Sequence, residues 1–336
     1  MPKITTYDFI ESNTRKTIYL LISFAISLLA IVYLGILFIS LLQVENMSEG
    51  TYQVYKQVSV LNLANHTATY ILPIVSVVVI LWILLSYYYG QHFILGAAKA
   101  VELTKQNAPE ILKIVETLAI TTGLPTPKVY SINDMGMNAF ATGRDPKHSY
   151  IVLTKGLING LEKSELEGVI AHEMAHIGNR DIKIMLVMVV CISFATVVAE
   201  ILLRTSFVTK TNNSKNNNVA IQMFLLTLAV SLYVYGYLVA PLIKFAVSRT
   251  REFQADATAA LITRNPQGLI SALEKISEHS VVKSLSDKQT MSPICIISPL
   301  AKNKQGTFFS KISGLFLTHP PIEERIKALK VMDSHR

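Results

Sequence analysis

Charge is scarce in this chain. Of its 336 residues only 16% are Asp, Glu, Lys or Arg, and 51% are hydrophobic, whereas a typical soluble domain is about one quarter charged. That balance excludes an ordinary soluble globular protein. Cysteine is nearly missing: Cys191 lies inside an apolar run and Cys295 far from it, near the C-terminal end. Neither a disulfide framework nor a cysteine metal cluster follows. There is no internal repeat and no Gly-rich phosphate loop. The few charges lean positive, with a net +8. In a soluble protein this would suggest nucleic acid. In a chain this apolar it reads as the basic cytoplasmic face of a membrane protein, and no nucleic-acid partner is expected.

Long apolar runs are what the chain does have. Ile18 to Leu42 is charge-free and long enough to span a bilayer. It is too long for a signal-peptide core and no small-x-small cleavage site follows, so it reads as a retained anchor. Further runs cover 70–88, with Trp82 and Tyr87 to Tyr89 suited to an interface belt, then 184–203 and 219–240. These leave a tail (1–17), a loop (43–69), a soluble segment (89–183), a second loop (204–218) and a C-terminal region (241–336). Glu200 reads as reaching the interface at the far end of the third run. The tail, the soluble segment and the C-terminal region hold 27 of the 31 Lys and Arg, and the two loops hold four. The bias places the first three in the cytoplasm and the loops outside. Four spans then let the soluble segment and the C-terminal region meet on one side.

The soluble segment reads as a helix (108–121), three short strands (128–132, 139–142, 150–154) and a second helix from Ser164 to Ile177. Ser164 and Glu167 are expected to form its capping box. This helix carries His172-Glu173-Met174-Ala175-His176, with Leu166, Val169, Ile170 and Met174 at helical spacing behind. Residues four apart share one face, so both imidazoles can point at one metal. Glu173 stands where it can reach a water at that metal, the layout of a zinc hydrolase. A catalytic zinc takes three protein ligands and leaves one position open. The leading third ligand is Glu252, on a helix expected to continue from the fourth span to about Thr263. Asp256, one turn on, can accept a hydrogen bond from a ligand histidine. The bland alternative is that Arg249, Arg251, Glu252 and Asp256 form a solvated charged turn near headgroups. His176 is about 12 Å from the third span and Glu252 about 18 Å past the fourth if the intervening residues are helical, which puts the site near the membrane surface. A strand at the edge of the small sheet can pair with an extended substrate. Beyond lie a helix capped by Asn265 with Pro266 in its first turn, a mixed stretch (281–313) with one short strand (294–297), and a final helix from Ile322 to Met332.

Four motifs occur in order: Asn138-Ala139-Phe140-Ala141-Thr142-Gly143; the His172 to His176 motif; Arg251-Glu252-Phe253-Gln254-Ala255-Asp256; and His319-Pro320-Pro321 with Glu324-Arg325. With two spans before the ligand helix and two after, the set resembles the HtpX-type membrane zinc metalloproteases, bacterial inner-membrane enzymes of heat shock and quality control. The resemblance covers roughly residues 15 to 332. It implies that His172, His176 and Glu252 ligate zinc, that Glu173 is general base and then proton donor, and that Asp256 orients a ligand histidine. It implies that Asn138, Ala139, Phe140, Ala141 and Thr142 line the cleft and hold the substrate backbone. It also implies that His319 and Arg325 stabilise the oxyanion or position substrate. The plainer readings are a helix cap for His319 and a salt bridge for Arg325.

The expected fold class is therefore mainly α: a polytopic helical membrane protein with a zincin-like α+β metalloprotease domain containing a small sheet. One Zn2+ per chain is expected, in a multi-pass protein of the cell inner membrane with its active site and both termini cytoplasmic. The expected partners are the lipid bilayer and protein substrates, chiefly membrane proteins; assembly into a homo-oligomer stays open. A rival is a membrane-embedded chaperone or adaptor with a structural metal. Glu173 and the three-ligand count argue against it, since structural zinc usually has four protein ligands. A transporter is disfavoured by the few intramembrane charges.

Overall fold

The computed structural model describes residues 6–45, 60–211, 218–246, 249–278 and 320–334. The elements in chain order are α1 (Thr6–Glu45), α2 (Val60–Ala97), β1 (Val101–Glu102), α3 (Pro109–Thr122), β2 (Lys128–Ile132), β3 (Ala139–Asp145), β4 (His148–Thr154) and α4 (Lys155–Gly160). They continue with α5 (Lys163–Gly178), α6 (Asp181–Thr211), α7 (Asn218–Ala246), α8 (Arg249–Thr263), α9 (Pro266–Glu278) and α10 (Ile322–Ser334). They form two compact units. One comprises residues 18–85 and 190–240; the other takes in 1–17, 86–189 and 241–336.

The first unit is made of apolar helices. Among the described residues three helices are long and apolar enough to cross a membrane: Thr17–Val44, Val60–Ala97 and Asp181–Phe207. The fourth expected run lies in α7, where the described apolar part is the shorter Gln222–Gly236. Large apolar side chains such as Ile26, Tyr70, Ile74 and Leu81 are exposed, as a lipid-facing surface requires. Inside, Val32 and Ile36 pack on Ala64 and Ala68, small residues that let two helices approach closely. Two of the expected loops are partly helical. The α2 helix starts at Val60, not Tyr70, and α6 runs on to Thr211. Polar residues there bond within their own helix or to a neighbour, so they do not stop it. Thr67 and Thr69 donate to carbonyls one turn back, Asn65 accepts from the Tyr33 hydroxyl, and Arg204 pairs with Glu200.

The second unit is built around a four-stranded sheet of order β1-β2-β4-β3. The β2 strand runs parallel to β4; β3 is antiparallel to β4 and β1 to β2. Ser149 to Thr154 of β4 are all buried, the signature of a central strand covered on both faces. The three expected strands are present, β3 and β4 a few residues longer than expected. The two-residue β1 and six-residue α4 were too short to leave a periodic signal. Ile151, Leu153, Val115, Leu118, Ile170, Met174, Leu273 and Leu329 belong to one core joining the sheet to α3, α5, α9 and α10.

The start of α5 differs from expectation. Its N-cap is Glu162, whose backbone N–H donates to Glu165 at 2.7 Å. Glu165 displaces Glu167 from that role because it is also bonded by Ser271 and Lys275 of α9. The two helices cross closely at a pair of glycines. A Cβ on Gly168 would meet the Leu269 backbone at 3.0 Å, and one on Gly268 would meet the Ser164 carbonyl at 2.6 Å. The α9 helix begins as expected, with the Asn265 side chain accepting from the Gly268 N–H at 3.1 Å. The expected continuous helix after the fourth run is described as α7 and α8, helical on both sides of residues 247–248. The expected strand at 294–297 and His319 fall outside the described residues.

Candidate metal centre

The α5 helix buries almost its whole circumference, and His172, Glu173 and His176 lie 1%, 3% and 4% exposed. Their burial follows from the sequence around them. Val169, Ile170, Met174 and Ile177 pack into the core, and Ala171 and Ala175 leave space for the imidazoles. The two Nε2 atoms face each other 3.2 Å apart. Glu252, in the first turn of α8, brings Oε2 to 3.7 Å from His172 Nε2 and Oε1 to 3.6 Å from His176 Nε2. Ligating atoms of the three residues all lie within 4.8 Å of one another. Two nitrogens on a tetrahedral zinc with bonds of about 2.0–2.1 Å stand about 3.3 Å apart, so the imidazole pair fits that ion, and the carboxylate is only slightly wider. Two imidazoles and one carboxylate are a catalytic donor set, and no cysteine takes part.

Each imidazole is held from behind. His172 Nδ1 is 2.9 Å from Asp256 Oδ1. Arg325, from α10, forks onto the same carboxylate, Nε to Oδ2 at 2.8 Å and Nη2 to Oδ1 at 2.6 Å. Its Nη2 also lies 3.4 Å from the His172 ring nitrogens, and its Nη1 is 3.8 Å from Glu252. Of the two readings of Arg325 in the sequence, the structure shows the ion pair. His176 Nδ1 is 3.1 Å from Asp181 Oδ2, and Arg251 Nη1 is 3.2 Å from Asp181 Oδ1. The sequence gives neither residue a role: Asp181 lies just before the third apolar run, and Arg251 stands in the solvated-turn alternative and at the head of the third motif. The available signal was position: Asp181 follows the ligand helix directly past its end, and Arg251 adjoins Glu252.

The electrostatics favour an added cation. Burial works against a charge on His176, yet the bond to Asp181 and the nearby Glu252 and Glu173 carboxylates outweigh it and push its pKa up to about 9. Burial likewise opposes ionisation of Asp256, but Arg325, and then His172, hold it down at about 2. Glu173 is raised above the usual carboxylate range, first by burial and then by Glu252, with the two histidines and the Ala141 backbone acting the other way. Four buried carboxylates (Glu173, Asp181, Glu252, Asp256) face two buried guanidiniums (Arg251, Arg325). A dication supplies the missing positive charge.

The Asn138 to Thr142 stretch lies beside α5. All five side chains are buried. The β3 strand ends the sheet and pairs with β4 alone among the described residues. Asn138 is tied down by two bonds, both 2.9 Å: its Oδ1 accepts from the Ala139 N–H, and its own N–H donates to Thr154 Oγ1.

Residues 105–333 match the family model described as Peptidase family M48. A "Protease HtpX homolog" of Dictyoglomus turgidum is 35% identical over 332 residues, 99% of this chain and 96% of that protein. A protein of the same description from Bacteroides fragilis is 36% identical over 279 residues, 82% of this chain and 85% of its own length. One from Tropheryma whipplei is 39% identical over 246 residues, 73% of this chain and 80% of its own. Among solved structures, that of S. mikatae Ste24p matches with a TM-score of 0.42 at 24% identity. The match covers 73% of this chain and 55% of that one.

Proposed function

Because this chain belongs to peptidase family M48 and is thereby a metalloprotease, and carries helices long and apolar enough to cross a membrane, we propose that it is a zinc-dependent endopeptidase of the cytoplasmic membrane. We propose further that it cleaves misfolded or damaged membrane proteins. One observation carries the zinc reading: two buried imidazoles and a buried carboxylate converge, with a second carboxylate, Glu173, beside them. His172, His176 and Glu252 would hold the ion. Bound zinc would lower the pKa of a water and polarise the scissile carbonyl.

The rest falls to the chain's own side chains. Glu173 takes the proton from the attacking water and delivers it to the leaving amine, so one peptide bond and one water become a carboxylate and an amine. Its raised pKa suits a base that must hold the proton between those steps. Asp256 fixes the tautomer of His172 so that Nε2 is free to ligate, and Arg325 keeps Asp256 ionised. The side of β3 that pairs with no strand among the described residues would offer backbone N–H and C=O groups to an extended substrate. His319 is assigned to the oxyanion on the resemblance alone. The excess of Lys and Arg in the tail, the soluble segment and the C-terminal region supports a cytoplasmic site and cytoplasmic termini.

The test uses the full chain purified in detergent. Zinc content near one equivalent and chelator-sensitive cleavage of a destabilised membrane protein are expected. Glu173→Gln should keep the zinc and lose the cleavage. Bound metal without cleavage in the wild type would favour the adaptor reading, and undiminished turnover by Glu173→Gln would remove the role given to Glu173.

A further inference from the structure

The two ligand histidines have matching supports of different origin. Each imidazole Nδ1 meets an aspartate, and each aspartate meets a buried arginine. For His172 the pair is Asp256 and Arg325; for His176 it is Asp181 and Arg251. The first pair includes a motif aspartate on the helix of Glu252. The second comes from residues with no assigned role. We propose that Asp181 and Arg251 are positioning residues for the metal centre, a latch that presents His176 Nε2 and fixes the helix of Glu252 before any ion binds. The proposal rests on the zinc reading above.

The local backbone explains how Asp181 gets there. The α5 helix ends at Gly178, and Asn179 is its C-cap. Arg180 then adopts a left-handed conformation, φ 59°, a helix-terminating turn more usual for glycine or asparagine. That turn brings Asp181, five residues after His176, back to the Nδ1 side of the ring at 3.1 Å. A carboxylate there accepts the Nδ1 hydrogen, so that Nε2 is the nitrogen turned to the site and left to take an ion.

Arg251 supplies the other half. It stands immediately before Glu252 on α8 and donates to Asp181 Oδ1 at 3.2 Å. The pair therefore joins the chain leaving the ligand helix to the chain delivering the third ligand, two segments 70 residues apart in sequence. Asp181 is 1% exposed and Arg251 6%. Water cannot replace either partner there, so removing one takes the other's charged partner away beneath a ligand. Arg251 acts on the site through Asp181 and through its chain neighbour Glu252.

The experiment compares wild type with Asp181→Ala, Asp181→Asn, Arg251→Ala and Arg251→Lys, all as full-length protein in detergent. Zinc affinity is read by competition with a chromophoric chelator, and site geometry by the visible spectrum of the cobalt-substituted protein. Loss of an outer support of a metal-bound histidine lowers affinity by about 10- to 100-fold, and Asp181→Ala is expected to fall in that range with altered cobalt bands. Arg251→Ala should lose about tenfold and Arg251→Lys distinctly less. In the cleavage assay kcat should fall while KM holds. A role confined to folding would lower the melting temperature yet leave the cobalt spectrum of the folded fraction unchanged, and that result overturns the proposal. So does wild-type zinc affinity in folded Asp181→Ala. Should the alanine variant fail to fold, Asp181→Asn, nearly equal in volume but without the charge, carries the same comparison with the same two outcomes. A wild type that binds no zinc would sink the zinc reading itself. A zinc-binding wild type with unaffected variants would sink only the latch.

Discussion

The span unit and the catalytic unit solve opposite problems with the same apolar composition. In the span unit large apolar side chains face outward, and serine hydroxyls bond back to carbonyls of their own helix, as Ser40 does to that of Ile36 and Ser76 to that of Leu72. Its one described ion pair, Glu200 with Arg204, is exposed. In the catalytic unit the apolar residues turn inward, and seven Asp, Glu and Arg side chains, Glu165 and six around the candidate metal centre, lie buried among the described residues. Buried charge is costly unless paired, and here each buried arginine holds an aspartate that in turn holds a ligand histidine. Six of the seven stand around the candidate metal centre, and the seventh, Glu165, is held by Lys275 where α5 meets α9. The lesson is that one low-charge composition can serve lipid contact in one unit and metal binding in the other.

That contrast can be broken by substitution, and the largest effect should come from the centre. Glu252→Ala is expected to abolish stoichiometric zinc and with it cleavage, by at least about a thousandfold, measured by metal analysis and kinetics on one preparation. Next comes Arg325→Leu, which leaves Asp256 buried with its guanidinium partner gone and only the His172 imidazole against it. Breaking a buried pair costs about 3–5 kcal/mol, so the catalytic unit should melt well below the wild type in calorimetry. An unchanged melting temperature would show that the pair is not what holds α10 in place.

A smaller effect should follow pH. The folded pKa of Asp256, about 2, lies below its ordinary value, so its stabilisation is present above about pH 4 and is lost as pH falls towards 2. Acid titration of the metal-free protein, followed by near-UV circular dichroism, should show loss in that window. Asp256→Asn should remove that part of the profile; an identical acid limb would rule it out. The least effect belongs to the span unit. Glu200→Gln breaks only an exposed i,i+4 pair worth under about 1 kcal/mol. Cleavage and melting temperature should match wild type, and a measurable loss of either would mean that Glu200 has a partner in function.

Much of this was readable in the residues. The ligand helix, its two histidines and Glu173 were visible because a helix repeats every 3.6 residues and places His172 and His176 on one face. Glu252 and Asp256 were found because a catalytic zinc needs a third ligand and they share a helical face. The bounds of β2, the start of β3, the end of β4 and the cap at Asn265 were visible in turn chemistry. The capping residue of α5 was missed because Glu165 is chosen by Ser271 and Lys275, more than a hundred residues away. The loop boundaries were missed because threonine and asparagine stay helical when their side chains find partners in the same helix or the next.

The sequence by itself determined the class of the protein, the candidate ligands His172, His176 and Glu252 and the unequal sharing of charge along the chain, because these follow from composition, motif and helical period. Only the tertiary structure decided that Arg325 lies against Asp256 and that Arg251 meets Asp181 beneath His176. Pairings across 69 and 70 residues leave no local period to read; they exist because a buried charge must find its opposite wherever the packed chain brings one.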